Sequence, residues 1–128
     1  MSGKKILVAD DEAVLVKMIR LRLEANGFVV LTAADGEDAL DKAQRERPDL
    51  IILDLMLPKM DGYQVCASLK SDPGCRSVPI VILSARAQDT DKKMGEEAGA
   101  SAYITKPFDT KELLAKIHEL LDTKEKNG

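Results

Sequence analysis

The sequence contains no tryptophan, only two tyrosines and two phenylalanines, and no long apolar run. Because a membrane-spanning helix needs about 20 consecutive apolar residues, we expect a chain without a membrane segment. The net charge is −3, and the chain has no basic cluster of the kind that binds nucleic acid. Cysteine is also scarce. Cys66 and Cys75 match no metal-binding spacing, so we expect free thiols in a reducing cytoplasm.

The composition is that of one globular domain. A chain of 128 residues can bury a single core, and 45% hydrophobic with 32% charged residues is ordinary for such a domain. We expect the folded domain to span residues 1–122. The polar residues 123–128 predict a disordered tail.

Five short apolar runs predict β-strands, and each is followed by a segment with helical spacing or helix boundaries. The predicted strands cover residues 5–9, 28–33, 50–53, 80–83 and 101–105. The third strand is entirely aliphatic, which is typical of a strand buried on both faces. Strict alternation of strands and helices predicts an α/β fold, (βα)5, with a doubly wound five-stranded parallel sheet and right-handed crossovers.

The fourth predicted helix, residues 90–98, is unusual because Met94 is its only large apolar residue. A helix with so narrow an apolar face packs weakly. We therefore expect it to be mobile or to be available to a partner.

Polar side chains follow four of the five predicted strands. Asp10 and Asp11 follow the first strand, whereas Asp54, Ser84 and Lys106 follow the third, fourth and fifth. Since the carboxyl ends of parallel strands share one edge of the sheet, we expect these side chains to converge there. A sharp turn after the fifth strand would bring the Lys106 ammonium over this edge, which predicts a cis peptide bond to the following proline.

This combination of side chains is suited to phosphoryl transfer. Three clustered carboxylates repel one another unless a cation lies between them, and an all-oxygen site favours a hard ion such as Mg²⁺. The ion and the Lys106 ammonium would neutralise the oxygens of a phosphoryl group. A carboxylate can act as the nucleophile and form an acyl phosphate, and the Ser84 hydroxyl can donate to a phosphoryl oxygen.

Simpler interpretations of the same residues stay open at this point. The acids at residues 10–12 can stabilise the N-terminus of a helix through its dipole. Ser84 can be a turn residue, and Tyr103 can be a packed strand aromatic whose hydroxyl reaches water.

Two other functional classes share parts of the pattern. A flavodoxin-like FMN carrier would need a phosphate-binding loop after the first strand, where the chain has three acids that repel phosphate. A hydrolytic aspartyl-phosphate phosphatase usually carries a second acid two residues after its nucleophile, where this chain has Met56.

Four motifs of the chain occur together in the order and spacing of one known family. They are Asp10–Asp11, Asp54 with Pro58 and Gly62 after it, Ser84–Ala85, and Lys106–Pro107–Phe108. Over residues 4–121 the chain resembles a response-regulator receiver domain of two-component signalling, and it is similar to the single-domain chemotaxis regulators. The resemblance implies a flavodoxin-like fold with strand order 2-1-3-4-5.

The resemblance also implies roles for individual residues. Asp54 would receive a phosphoryl group from a phosphohistidine of a sensor histidine kinase or a histidine phosphotransfer protein. Lys106 would pair with that group, the Ser84 hydroxyl would donate a hydrogen bond to it in the active state, and Tyr103 would be the switch aromatic. Mg²⁺, or Mn²⁺ in its place, would be bound by Asp10 through water and directly by Asp11, Asp54 and the backbone carbonyl of Met56.

The implied function is that of a phospho-acceptor response regulator. Phosphorylation would switch the surface of the fourth helix, fifth strand and fifth helix for binding to a downstream protein that the sequence does not name. The chain would catalyse its own phosphorylation and dephosphorylation without being a conventional turnover enzyme. We expect a cytoplasmic monomer without nucleic-acid or membrane partners, with a dimer on phosphorylation as one alternative. The alternative to a stand-alone protein is a receiver domain excised from a longer multidomain regulator, with its output domain absent.

Overall fold

Strands and helices alternate along the computed structural model, which describes residues 3–86 and 88–127, with side chains described as far as residue 122. The strands are β1 (Lys5–Ala9), β2 (Val29–Ala33), β3 (Leu50–Leu53), β4 (Ile80–Ser84) and β5 (Ala102–Thr105). The helices are α1 (Ala13–Ala25), α2 (Gly36–Glu46), α3 (Gly62–Ser71), α4 (Asp89–Glu97) and α5 (Thr110–Asn127).

All strand pairings are parallel, and the sheet has the order β2-β1-β3-β4-β5. Leu7 of β1 is aligned with Leu31 of β2 and with Ile51 of β3, so β1 lies between these two strands, and β3 is the middle strand of the sheet. The (βα)5 fold and the strand order 2-1-3-4-5 predicted from the sequence are confirmed. Because all strands run the same way, their carboxyl ends form one edge.

Helices cover both faces of the sheet, and successive strand residues point to opposite faces. On one face, Leu7 and Ile51 pack in a core with residues of α2 and α3. On the other, Ile6 and Ile52 pack with residues of α1 and α5. Each such fully buried aliphatic side chain stabilises the fold by about 1.5–3 kcal/mol.

Helix α4 approaches the sheet through a glycine. Met94 is 51% exposed, whereas Gly95 is the one residue of this helix that is buried. A Cβ atom on Gly95 would lie 2.9 Å from Cδ1 of Ile82 and 3.3 Å from Cδ2 of Tyr103. The narrow apolar face predicted for this helix is therefore confirmed, and its predicted mobility or availability to a partner stays a prediction.

The cysteines, the helices and the C-terminal tail were each the subject of a prediction from the sequence. Cys66 and Cys75 are both free and buried, and burial raises the pKa of the Cys66 thiol to about 11. Among the described residues, no helix has the length and apolar character needed to cross a membrane. The side chains of residues 123–128 lie outside the described part, so the expected tail stays a prediction.

Candidate functional site

Asp10 and Asp54 each follow a central strand by one residue and extend its hydrogen-bonding pattern. The Asp10 amide donates to the Ala33 carbonyl at 3.1 Å, and the Asp54 amide donates to the Ala9 carbonyl at 2.9 Å. Both aspartates are only 4% exposed. Two carboxylates are thereby fixed side by side at the carboxyl edge, where burial makes an uncompensated negative charge costly.

Lys106 supplies the compensating charge. Its Nζ atom lies 2.8 Å from Oδ2 of Asp10, 3.3 Å from Oδ2 of Asp54 and 3.3 Å from Oε1 of Glu12. The Lys106 amide donates to the Ser84 carbonyl at 2.8 Å, and the peptide bond to Pro107 is cis, as the sequence predicted. Desolvation lowers the pKa of Lys106, but the hydrogen bond and charge of Asp10, together with those of Asp54, raise it above the ordinary value.

The acidic side chains form a cluster that fits a divalent cation. One carboxylate oxygen from each of Asp10, Glu12 and Asp54 lies within 4.8 Å of the others. Backbone amides orient two of them, because Glu12 N–H donates to Oδ1 of Asp10 at 2.9 Å and Met56 N–H donates to Oδ1 of Asp54 at 3.2 Å. An all-oxygen set with three negative charges and one nearby ammonium suits Mg²⁺.

The third member of this cluster differs from the residue named in the sequence analysis. Glu12 belongs to the cluster, whereas the exposed Asp11 lines, together with Asp10, an adjoining cavity of about 430 Å³ between α1 and α2. The structure therefore brings Asp10, Asp54 and Lys106 together as expected. Glu12, which the sequence analysis did not name, joins them through its contact with Lys106, and its signal was its place in the acidic run 10–12.

Ser84 and Tyr103 lie on the neighbouring strands β4 and β5. Ser84 is fully buried, and its Oγ accepts a hydrogen bond from the Arg86 amide at 3.3 Å. The half-buried Tyr103 donates its hydroxyl to the Arg86 carbonyl at 2.7 Å. Burial raises the pKa of Tyr103, and a hydrogen bond with Ser84 opposes the rise. Both predicted switch residues thus contact the short segment that joins β4 to α4.

A second tyrosine, which the sequence analysis did not single out, contacts the start of α4. The Tyr63 hydroxyl donates to the Asp91 carbonyl at 3.0 Å, and burial raises its pKa. The Arg86 guanidinium lies 3.7 Å from the Asp91 carboxylate. Tyr63 and Tyr103 therefore contact the two ends of the segment that runs from Arg86 into α4.

Curated relatives match most of this chain but only part of their own length. One is the alkaline phosphatase synthesis transcriptional regulatory protein PhoP of Bacillus subtilis, 47% identical over 119 residues, which are 93% of this chain and 49% of the relative. Another is a probable transcriptional regulator, ycf27, of Porphyridium aerugineum, 47% identical over 121 residues, 94% of this chain and 49% of the relative. The chain spans about half the length of these relatives.

Solved structures match over nearly their whole length. A CheY-like response regulator receiver domain protein from Methanospirillum hungatei superposes with a TM-score of 0.92 at 31% identity, covering 98% of both chains. The receiver domain of a sensor histidine kinase from Pseudomonas aeruginosa, with a magnesium ion coordinated in its active-site cleft, gives 0.87 at 33% identity, covering 94% of this chain and 98% of that one.

The family model described as the response regulator receiver domain matches residues 6–118. This range contains every site residue discussed above and all of the sheet except Lys5, the first residue of β1. The chain therefore belongs to the response regulator receiver domain family.

Proposed function

We propose that Asp54 is the phosphoryl acceptor of this receiver domain and that a phosphohistidine on a histidine kinase or phosphotransfer protein is the donor. One observation carries the proposal. The Asp54 carboxylate is buried at the carboxyl edge of the sheet and lies 3.3 Å from the Lys106 ammonium, beside further acidic side chains. A buried acid with a cation at this distance and an open sheet edge in front of it is arranged for nucleophilic catalysis.

The transfer itself exchanges one bond to phosphorus for another. A carboxylate oxygen of Asp54 forms the new oxygen–phosphorus bond while the phosphorus–nitrogen bond of the donor breaks, and the imidazole takes the electron pair. The Met56 amide, which donates to Oδ1 of Asp54 at 3.2 Å, holds the carboxylate in one orientation. This preorganisation lowers the entropic cost of reaching the transition state.

The role of Lys106 is to stabilise the negative charge of the transferring phosphoryl group. Its ammonium contacts both Asp10 and Asp54, so it can follow the negative charge that builds on the phosphoryl oxygens without a large movement. The raised pKa of Lys106 keeps the side chain cationic at neutral pH.

We propose that Mg²⁺ is bound by Asp10, Asp11, Asp54 and the Met56 carbonyl, with Mn²⁺ as a substitute. When bound, the ion would neutralise the phosphoryl oxygens and the clustered carboxylates. The acidic cluster supports a divalent ion at this place. Asp11 is preferred to Glu12 as the third acid because Asp11, unlike Glu12, lines the same cavity as Asp10 at this edge of the sheet.

We propose that phosphorylation is passed on through Ser84 and Tyr103. A phosphoryl group on Asp54 would offer the Ser84 hydroxyl a strong charge-assisted acceptor. Ser84 would then give up the Arg86 amide, and Tyr103 would give up the Arg86 carbonyl and move inward. The surface made by α4, β5 and α5 would change shape, and a protein partner or a second copy would bind it.

The wider cellular role is also a proposal. Two of the relatives are described as transcriptional regulators and are about twice as long as this chain, which supports a receiver domain that works with an output domain. The net charge of −3 supports a cytoplasmic receiver that contacts proteins rather than nucleic acid or membrane. We propose that it is monomeric before phosphorylation.

Acetyl phosphate tests the acceptor without any knowledge of the kinase. In the presence of Mg²⁺ we expect intact-mass spectrometry to show one added phosphoryl group, which EDTA prevents. The Asp54→Asn variant is the control and should stay unlabelled. Labelling of this variant at the wild-type rate would refute the assignment.

A further inference from the structure

Gly36, the first residue of α2, lies unusually close to the loop that follows Asp54. A Cβ atom on Gly36 would lie 1.8 Å from the carbonyl oxygen of Met60 and 2.6 Å from its carbonyl carbon. These are backbone atoms, so no side-chain rotation can relieve the overlap. The close approach therefore requires glycine at this position.

The loop in question, residues 55–61, joins β3 to α3 and is held to the start of α2. The Gly36 amide donates to the Pro58 carbonyl at 3.0 Å. The Lys59 ammonium lies 3.6 Å from the Asp35 carboxylate. The same loop contains Met56, whose amide donates to Oδ1 of Asp54. A continuous chain of contacts thus runs from α2 through the loop to the phosphoryl acceptor.

The far end of the loop is equally close-packed. The Gly62 amide donates to the Leu55 carbonyl at 3.0 Å. A Cβ atom on Gly62 would lie 2.6 Å from the carbonyl oxygen of Asp54. On the other side, α2 is anchored to the core by Ala39 and Ala43, which are buried. A methyl group added at Gly36 must therefore be accommodated mainly by movement of the loop.

We propose that Gly36 is a positioning residue for phosphoryl transfer. By letting α2 touch the backbone of Met60, it fixes the loop 55–61 and, through the Met56 amide, the orientation of the Asp54 carboxylate. The inference rests on the proposed function of Asp54 and adds a residue on a different helix that acts through the loop.

The size of the overlap sets the expected effect. Contacts of Cβ atoms below 3.0 Å are essentially not found, so the 1.8 Å separation requires a shift of the loop by about 1 Å or more. A misplacement of this size at a reacting group can cost up to about a hundredfold in rate. We expect Gly36→Ala to slow labelling by acetyl phosphate between about tenfold and a hundredfold and to weaken Mg²⁺ binding.

The experiment compares Gly36→Ala with Gly74→Ala. A Cβ atom on Gly74 would have an Arg47 guanidinium nitrogen at 3.3 Å as its nearest neighbour, and that side chain can move. Labelling rates and calorimetric Mg²⁺ affinities are measured at a temperature where circular dichroism shows both variants folded. If Gly36 only stabilised the fold, Gly36→Ala would lower the free energy of unfolding but leave the Mg²⁺ affinity of the folded protein unchanged.

A measurement on the wild-type protein covers the case in which Gly36→Ala does not fold. If α2, the loop and Asp54 are coupled, Mg²⁺ binding should slow hydrogen exchange of both the Met56 amide and the Gly36 amide, as followed by NMR. Exchange of the distant Gly74 amide should not change. An unchanged Gly36 amide would overturn the inference.

Failure of this inference is distinguishable from failure of the proposed function. Suppose that the wild-type protein is labelled and binds Mg²⁺, and that the folded Gly36→Ala variant has the same labelling rate and the same Mg²⁺ affinity as the wild type. This result would overturn the positioning role of Gly36 alone. A wild-type protein that neither binds Mg²⁺ nor accepts a phosphoryl group would overturn the function and the inference together.

Discussion

The ammonium nitrogen of Lys106 lies 3.3 Å from the carboxylate of Asp54, although 52 positions separate the two residues in the sequence. The same nitrogen lies 2.8 Å from Asp10, and only 12% of the Lys106 side chain is exposed. Asp54, a neighbouring acid and their shared cation therefore form one preassembled unit. If Asp54 is the acceptor, as proposed, a phosphoryl group that arrives there would meet a positive charge that is already in place.

Replacing Lys106 tests this charge. We expect Lys106→Met to slow labelling by acetyl phosphate by about a hundredfold or more, because a preorganised charge at the reacting group is lost. Intact-mass time courses give the rate. Lys111→Met, which removes an exposed lysine from the start of α5, is the control and should behave as wild type. Equal rates for the two variants would show that Lys106 does not stabilise the transferring group.

The contributions of the Asp11 and Glu12 carboxylates to Mg²⁺ binding can be distinguished by replacing each with its neutral amide, which has nearly the same shape. If Asp11 is the third acidic ligand, Asp11→Asn should weaken Mg²⁺ binding by about tenfold or more. Glu12→Gln should change the affinity much less, because Glu12 does not line the cavity that Asp10 and Asp11 share. Isothermal titration calorimetry measures both. The reverse order of effects would make Glu12 the ligand and would correct the assignment proposed here.

Ser84 is expected to transmit phosphorylation without being needed for it. Ser84→Ala should still accept a phosphoryl group from acetyl phosphate, since Asp54, Asp10 and Lys106 are retained. Phosphorylation of the wild type should slow hydrogen exchange in β5 and α4, and this protection should be absent in Ser84→Ala. The exposed Ser77→Ala serves as a control. Normal protection in Ser84→Ala would disprove the coupling between Ser84 and Tyr103 and leave Asp54 as the acceptor.

Tyr63 is expected to restrain the first turn of α4 before phosphorylation. Removing its hydroxyl in Tyr63→Phe leaves the Asp91 carbonyl without this donor. The loss of about 1 kcal/mol should speed amide exchange at the start of α4 by about fivefold. Tyr103→Phe is the matched comparison and should act on the Arg86 end of the segment instead. Unchanged exchange in α4 of Tyr63→Phe would show that the hydrogen bond does not restrain the helix.

The fold and the centre of the site could be predicted because they follow from regular structure. Apolar runs that alternate with helical segments leave few arrangements other than a parallel sheet. In such a sheet the residues after the strands share one edge, so Asp10, Asp54 and Lys106 converge whatever the details of the loops. This is why three residues far apart in the sequence were placed together correctly.

The remaining features depend on packing that a pattern does not encode. Glu12 precedes α1 in an extended conformation, with φ −86° and ψ 97°. With this backbone conformation its side chain reaches Lys106. Tyr63 meets Asp91 only because α3 and α4 are neighbours in space. Gly36 looks like an ordinary turn residue until the backbone of Met60 is placed against it.

The central claim is that Asp54 carries the phosphoryl group, and chemical trapping tests it most directly. After reaction with acetyl phosphate and Mg²⁺, borohydride reduces an aspartyl phosphate to homoserine, which tandem mass spectrometry of peptides can locate. The account predicts homoserine at position 54, in amounts that follow the intact-mass label and vanish with EDTA. Homoserine at Asp10 or Asp11 instead, or a labelled protein with no homoserine at position 54, would contradict it.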